Sequence, residues 1–160
     1  NFSSPKNKKN FNSNIREWLK VSRYLLEQNY HVIVVPDTFT KVPEEFIKIG
    51  CSPFNESSQN LMLRMAIYEL AEINLFVPNG PATLAYLSKK VNYIVFKFFT
   101  AGVMYAPGVE EATEDARWKQ FKMKRGEGWK FSRNTQVISQ YEDNSNNIIN
   151  EFNRVISLKE

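Results

Sequence analysis

Five consecutive residues have the types and spacing of an anion-binding turn: Asn79, Gly80, Pro81, Ala82 and Thr83. They follow a short apolar run and precede a helix-favouring segment, so the order is strand, tight turn and helix N-terminus. Such a turn exposes backbone N–H groups, and the helix dipole adds partial positive charge, so the place suits a phosphate or diphosphate. Pro81 suits the first helical turn, and Asn79 can cap the helix. A plain connection in an α/β domain is the alternative interpretation.

Three charged residues are further candidates for ligand binding. Asp37 follows a predicted buried strand, where it could cap a helix or bind a ribose hydroxyl. Arg64 and Glu69 stand in an otherwise apolar helical segment, where burial of an unpaired charge would cost several kcal/mol. Arg64 could meet a phosphate, and Glu69 could accept hydrogen bonds from sugar hydroxyls. Structural pairing with protein neighbours is the alternative for both.

The positive charge of the chain leaves several classes of partner open. The net charge is +4, and the basic residues gather near the start and between residues 119 and 133. Nucleic acid, an anionic membrane or an anionic small ligand would each suit this charge, and so would a solvated surface. Trp129 and Phe131 could stack on a base or pack against the edge of a sheet, and Gln136 lies in the same polar segment.

Composition narrows the chemistry that the chain can support. At 160 residues with 42% hydrophobic content, it is of the size and composition of one soluble globular domain. No apolar run approaches the roughly 20 residues of a membrane span. The single cysteine, Cys51, excludes an internal disulfide, which favours a cytoplasmic protein. With His31 as the only histidine, a zinc site or a Ser/His/Asp triad would lack its usual donors, and we expect no metal.

Alternating segments predict an α/β fold with a mainly parallel sheet covered by helices on both sides. Helices are predicted at residues 14–28, 43–49, 57–73, 81–89 and 111–122 and after a cap at Asp143 or Ser145; strands are predicted at 31–35, 75–77, 91–98 and 135–139. The 57–73 helix is apolar almost all round, so we expect it to be largely buried. The first helix and strand form half of a βαβ unit. We therefore expect residues 1–160 to be a single domain that lacks a leading strand.

Taken together, these segments resemble the C-terminal, nucleotide-sugar-binding half of a GT-B-type glycosyltransferase, as in heptosyltransferase-like proteins and uncharacterised bacterial relatives. The resemblance spans residues 13–99. It is carried by an opening helix with Ser13, Glu17 and Trp18, a strand ending Val35-Pro36-Asp37, a helix with Arg64, Ala66, Tyr68, Glu69 and Ala71, and Asn79-Gly80-Pro81 before an apolar helix. In heptosyltransferase-like members an acidic residue stands where this chain has Asn79.

The resemblance implies a Rossmann-like, three-layer α/β/α lobe that binds a nucleotide-sugar donor. The donor diphosphate would be held by the turn at residues 79–83, with Asp37, Arg64 and Glu69 nearby. A second half of the same protein would bind a glycan or lipid-linked acceptor and supply the general base. The nucleotide-sugar is then a substrate, and no cofactor is expected. The lobe alone would not be a complete catalyst.

Two other classes of function remain open at this stage. One is a nucleotide-sugar epimerase of the same architecture, although a single histidine offers few acid/base groups for it. The other is a non-enzymatic nucleotide- or RNA-binding α/β module, although nucleic acid is the less favoured partner. For a glycosyltransferase lobe, the expected location is the cytoplasm, with peripheral attachment to the inner membrane as a variant of it.

Overall fold

A computed structural model describes residues 13–98, 118–119 and 122–159. The predicted loop at 100–108, most of the predicted helix at 111–122 and the leading residues 1–12 lie outside this part of the chain. The described part is an α/β structure with short parallel strands. Within it, no helix has the length and apolar character needed to cross a membrane.

Five α-helices, one 3₁₀ helix and five strands follow one another along the described chain. In order they are α1 (Ile15–Glu27), β1 (Ile33–Val34), α2 (Glu44–Lys48), β2 (Ser52–Pro53), a 3₁₀ helix (Asn55–Ser58), α3 (Leu61–Leu70), β3 (Asn74–Phe76), α4 (Ala82–Leu87), β4 (Tyr93–Val95), β5 (Gln136–Ile138) and α5 (Ser145–Ile156). All of the predicted strands are present; three are shorter than expected, and the strand predicted at 75–77 has the expected length but begins one residue earlier. Strand β2 was not predicted, because a Ser-Pro pair gives no strand pattern.

The strands form two parallel sheets rather than one. Strands β1 and β2 pair with Ile33 opposite Ser52, and the second sheet has the order β3-β4-β5. Within it, Phe76, Val95 and Ile138 stand in one row across the three strands. Because these strands are parallel, their carboxyl ends meet at one edge, where ligands bind in parallel α/β proteins.

Different helices cover the two faces of the three-stranded sheet. On one face, Tyr93 and Val95 pack with Tyr68 of α3 and with Ala82 and Ala85 of α4. Ile94 of β4 and Phe96, the residue after β4, point the other way and pack against α1 and α5. This alternation follows from the two-residue period of a strand, and it explains why the β4 segment is apolar at nearly every position.

The 57–73 segment does not form the single buried helix that its composition predicts. A 3₁₀ helix and then Asn60 precede α3, and the side-chain oxygen of Asn60 caps α3 by accepting from the N–H groups of Met62 and Leu63. One face of α3 is open, since Met62 and Leu70 are each 81% exposed. The prediction of a largely buried helix was therefore wrong. Apolar composition shows that a helix has no polar face, but not that other elements surround it.

Helices α1 and α5 cap each other near the carboxyl end of the sheet. The Asp143 carboxylate accepts from the Asn14 N–H at 2.9 Å and from the Trp18 indole at 3.1 Å. Glu17 of α1 in turn accepts from the N–H and hydroxyl of Ser145, at 2.8 and 2.7 Å. The expected cap of α5 was Asp143 or Ser145, but Asn144 performs it by accepting from the Asn147 N–H. The Asp143 side chain thus bonds to the N-terminal end of α1, and not to that of α5.

Candidate functional site

A groove separates the facing edges of β1 and β3. Residues 30–37 and 71–77 form its two sides, and its volume is about 790 Å³. Most of its lining is apolar, but the end beyond the carboxyl termini of the two strands is polar. Asp37, Thr40, Lys41 and Asn79 all lie along the groove there. We call this end the polar mouth. The loop after β1 and Asn79, the first residue of the turn after β3, thus line the same groove, whereas residues 80–83 are not among its lining residues.

The 79–83 turn lies directly after β3 and leads into α4. The Asn79 side-chain oxygen accepts from the Ala82 N–H at 2.8 Å, so Asn79 holds the start of the helix. The N–H groups of Thr83 and Leu84 donate to the carbonyls of Gly80 and Pro81, at 3.1 and 3.2 Å. The turn therefore uses the first amides of α4 for its own closure. This arrangement also follows from the sequence, because Asn favours capping positions.

Fewer amides are left for an anion than the sequence pattern suggests. Pro81 has no N–H, and the next three amides have partners within the turn. Within the described chain, the N–H groups of Asn79 and Gly80 have no hydrogen-bond partner. Thr83 is exposed and adds a hydroxyl. A Cβ built on Gly80 would meet no atom within 4 Å, so the turn is open to solvent on this side.

Asp37 lies on the opposite side of the polar mouth, in a tight turn of its own. Its Oδ1 accepts from the Thr38 N–H at 2.7 Å, and its carbonyl accepts from the N–H and hydroxyl of Thr40. Oδ2 has no partner among the described residues. An exposed carboxylate with one free oxygen can accept a hydrogen bond from a ligand hydroxyl.

Arg64 is buried beside the polar mouth and does not line the groove. Its side chain is 1% exposed, and Nε donates to the Ser57 carbonyl at 2.9 Å while Nη2 donates to the Pro36 carbonyl at 2.6 Å. The guanidinium therefore ties α3 to the 3₁₀ helix and to the residue just before Asp37. Burial raises the pKa of the neighbouring Tyr68 hydroxyl, and Arg64 opposes that rise. The position of Arg64 fits a residue that orders the Asp37 loop.

Glu69 lies away from the polar mouth. Its carboxylate is 3.6 Å from the ammonium of Lys90, which comes shortly before β4. Because α3 leads into the start of β3, its last turn lies near the amino ends of the strands, whereas Arg64 in an earlier turn reaches Pro36. The five-residue separation of Arg64 and Glu69 is therefore enough to place them toward opposite edges of the sheet.

The structure adds groove residues that sequence reasoning did not single out. Thr40 and Lys41 line the same groove as Asp37 and Asn79, so the groove also has a cationic residue in its lining. A cue was present, since polar residues that follow a strand in a parallel sheet lie at the ligand-binding edge. Lys97 was also missed; it stands after β4 with a left-handed φ of 59° and pairs with Asp143 at 3.4 Å.

The other reactive residue types do not form a site in the described chain. Cys51 is buried, and burial raises the pKa of its thiol, which disfavours the nucleophilic thiolate. His31 is exposed, and its Nε2 lies 2.8 Å from the Ser52 hydroxyl. No group of three or more His, Cys, Asp or Glu side chains that could hold a metal ion is found among the described residues.

Comparisons with family models, with curated proteins and with solved structures gave no match.

Proposed function

We propose that this chain is the donor-binding lobe of a glycosyltransferase, with a Rossmann-like, three-layer α/β/α architecture. The observation that carries the proposal is that Asp37 and Asn79, the first residue of the 79–83 turn, line one groove. In parallel α/β sheets, nucleotide ligands bind beyond the carboxyl ends of the strands. A groove of about 790 Å³ is also within the range of small-molecule sites.

Polar groups of the mouth and of the adjoining 79–83 turn have proposed parts in holding a nucleoside diphosphate. The N–H groups of Asn79 and Gly80 and the hydroxyl of Thr83 donate to the diphosphate, and Lys41 adds positive charge. Asp37 accepts from the ribose hydroxyls through Oδ2. Arg64 positions Asp37 by holding the Pro36 carbonyl, and it does not touch the ligand. Glu69 has no part in this proposal, because it pairs with Lys90 away from the mouth.

In the proposed reaction, the sugar leaves the diphosphate and is attacked by an acceptor hydroxyl. Negative charge grows on the departing diphosphate, so hydrogen-bond donors at the turn stabilise the transition state more than the ground state. The general base and the glycan or lipid-linked acceptor belong to a second half of the protein in this proposal. The donor lobe therefore binds and orients one substrate.

A substitution at Gly80 tests the proposed diphosphate site with little risk to the fold. A side chain at this position meets open space, so we expect Gly80→Ala and Gly80→Val to keep the wild-type melting temperature. Valine should weaken binding of a nucleoside diphosphate by about tenfold or more, because it fills the space that the phosphate needs. Alanine should have a smaller effect. Calorimetry with nucleoside diphosphates and their sugars gives the affinities.

A matched variant separates ligand exclusion from damage to the fold. Gly128 lies far from the turn in sequence, and a Cβ there would clash with the Gln136 carbonyl oxygen. Gly128→Val should therefore lower the melting temperature, whereas Gly80→Val should not. Wild-type affinity in Gly80→Val, or no binding of any nucleotide to the wild-type chain at millimolar concentration, would refute the donor-lobe proposal.

One observation favours the nucleotide- or RNA-binding module as a second candidate. A separate cavity of about 390 Å³ is lined by four cations, Lys122, Lys130, Arg133 and Arg154, with Glu127 as its one acidic residue. Trp129 lines it too, and its ring stacks on Phe131 with the planes 7° apart. Cations beside an aromatic stack suit single-stranded nucleic acid. Such binding would weaken steeply with salt and would be weakened by Lys130→Gln, but not by Gly80→Val.

A further inference from the structure

A tight turn beside the groove presents an aromatic side chain to solvent. The turn comprises residues 37–40, and the Thr40 N–H closes it by donating to the Asp37 carbonyl at 3.1 Å. Phe39 is the third residue of the turn and is 81% exposed. Asp37 and Thr40, the two ends of the turn, line the groove, whereas Phe39 is not part of that lining. The exposed ring is thus carried by a turn whose ends belong to the candidate site.

The backbone of Phe39 has a conformation that favours glycine. Its φ is 61°, which lies in the left-handed region, whereas the φ of Thr38 before it is not positive. This combination is that of a type II turn, whose third residue is commonly glycine or asparagine. A bulky side chain is uncommon at such a φ, because its Cβ crowds the following carbonyl oxygen. Phe39 is therefore held in an unfavourable conformation.

Packing among the described residues does not offset this cost. Phe39 belongs to none of the three apolar clusters that these residues form. A phenylalanine ring stabilises a fold by removing apolar surface from water, and an exposed ring makes little of that contribution. Glycine or asparagine would suit the turn better and would expose less apolar surface. A strained residue with no evident packing role is a reason to look for a function.

The turn that carries Phe39 is braced on the side of the groove. The Thr38 N–H donates to Asp37 Oδ1 at 2.7 Å, and the Thr40 hydroxyl donates to the Asp37 carbonyl at 2.8 Å. Pro36, which precedes the turn, accepts through its carbonyl from the buried guanidinium of Arg64 at 2.6 Å. Because the backbone is already ordered, a ligand that contacts the ring has little further ordering to impose, which favours affinity.

The part proposed for Asp37 indicates which ligand group the ring would meet. In the donor-lobe proposal, Asp37 accepts from the ribose hydroxyls of a nucleoside diphosphate. The base is bonded to the ribose, so it lies close to the residue that holds the ribose. Phe39 is two residues from Asp37 on the same turn. Every base has a π-face that stacks on an aromatic side chain without any hydrogen bond, which suits a phenylalanine ring.

We propose that Phe39 is the base-stacking residue of the donor site and that its ring binds the nucleobase of a nucleoside diphosphate. This role rests on the proposed function of the chain as a donor-binding lobe. It adds that part of the affinity comes from the base, in addition to the diphosphate. It also adds that the base is held by stacking, which tolerates a change of base better than hydrogen bonds do.

Two substitutions at Phe39 separate the ring from the turn. Phe39→Gly removes the ring and suits the positive φ, so the melting temperature should stay the same or rise by about 2 °C. Phe39→Trp keeps an aromatic face at the same place. Phe131→Leu is the matched control, because Phe131 is also exposed, at 67%, but its ring stacks on Trp129, which lines the separate cavity.

Calorimetry with the common ribonucleoside diphosphates, together with competition by inorganic pyrophosphate, measures the contribution of the base. Phe39→Gly should weaken binding of the nucleoside diphosphates by about tenfold and should leave competition by pyrophosphate within about twofold of wild type. Phe39→Trp should keep most of the affinity, and the fluorescence of the added indole should fall when a nucleoside diphosphate binds. Phe131→Leu should match the wild type with both kinds of ligand.

Several results would overturn this role of Phe39. Unchanged affinity for nucleoside diphosphates in Phe39→Gly is one. An equal loss for pyrophosphate, or a loss in Phe39→Trp as large as in Phe39→Gly, is another, since Phe39 would then act through the shape of the turn. A fall of several degrees in the melting temperature of Phe39→Gly would also overturn it, because the ring would then be packed in the fold.

The Gly80→Val variant distinguishes this role from the donor-lobe proposal itself. It should weaken binding of both nucleoside diphosphates and pyrophosphate, because it acts at the proposed diphosphate site. If Gly80→Val weakens binding and Phe39→Gly does not, the donor site stands and the stacking role of Phe39 fails. If the wild-type chain binds no nucleotide, both proposals fail.

Discussion

At the scale of single residues, the candidate site is supported by a side chain that does not line the groove. This side chain is that of Arg64, in which a full positive charge is buried against two backbone carbonyls, those of Ser57 and Pro36. The sequence indicated that this charge needed a partner, since an isolated buried charge is too costly. It did not indicate that the partners would be carbonyls, because any segment brought near by folding can supply them.

Replacement of Arg64 should be strongly destabilising. Arg64→Met leaves both carbonyls without their charged donor in a buried place, so we expect the free energy of unfolding to fall by about 3–5 kcal/mol. Urea denaturation measures it. Arg23→Met, at an exposed position of α1, is the control and should change stability by no more than about 0.5 kcal/mol. A loss below about 1 kcal/mol in Arg64→Met would mean that the two hydrogen bonds contribute little.

Glu17 links the stability of the fold to acidic pH through its own pKa. The Lys20 ammonium, and then the hydroxyl and N–H of Ser145, hold the pKa of Glu17 at about 2, below its ordinary value of 4.5. A lowered folded-state pKa means that the stabilising effect is complete above pH 4.5 and is lost as the pH falls toward 2.

Glu17→Gln should therefore reduce stability at neutral pH and flatten its decline between pH 4.5 and 2. Urea midpoints measured across that range give the two slopes. Glu27→Gln, an exposed carboxylate at the end of the same helix, is the control and should keep the wild-type slope. If the pH dependence of stability is the same in Glu17→Gln as in the wild type, the contacts of Glu17 with Lys20 and Ser145 do not stabilise the fold in water.

At the scale of elements, α3 shows that an apolar composition does not determine which face of a helix is buried. Its inner face carries Arg64 and Tyr68 into the core. Tyr68 packs edge-on against Phe76, with the two ring centroids 5.0 Å apart. Its outer face carries Met62 and Leu70, which are mostly exposed. Nothing in the pattern separates these faces, since apolar side chains occur on both.

Substitutions on the two faces of α3 should differ sharply. Met62→Gln and Leu70→Gln should each leave the free energy of unfolding within about 0.5 kcal/mol of wild type, because these side chains gain little from folding. Tyr68→Ala should cost about 3 kcal/mol or more, because it leaves a cavity against the sheet. Thermal and urea denaturation measure all three. A large fall in the free energy of unfolding of Met62→Gln would show that the Met62 side chain is buried in solution.

At the scale of the whole molecule, the proposed separation of donor binding and acceptor binding into two halves has a kinetic consequence. A donor lobe without a bound acceptor can hold the nucleotide-sugar but cannot position the second substrate, and positioning accounts for roughly 7–11 kcal/mol of a reaction barrier. We therefore expect residues 1–160 to bind a nucleoside diphosphate or its sugar with saturation and without sugar transfer.

Calorimetry and a product assay on the same sample test both parts of this expectation. Donor hydrolysis by water serves as the reference rate, and the Gly80→Val variant serves as the control for specific binding. Robust transfer to an added acceptor by these 160 residues would show that the catalytic groups lie within this chain. Such a result would leave the donor site intact and would remove the need for a second half.

The sequence by itself determined the α/β class, the chain order of most elements and the position of the 79–83 turn after a strand. These depend on local rules: apolar runs favour strands, Asn caps helices, and Gly and Pro interrupt both. Tertiary structure alone decided that Asp37 and Asn79 line one groove, that Arg64 is buried against the Pro36 carbonyl, and that Glu69 pairs with Lys90. It alone left Ile33 partly exposed in a strand of buried composition. The physical reason is that composition records which surfaces a residue can favourably bury, whereas only the packed chain determines which neighbours are there to bury it.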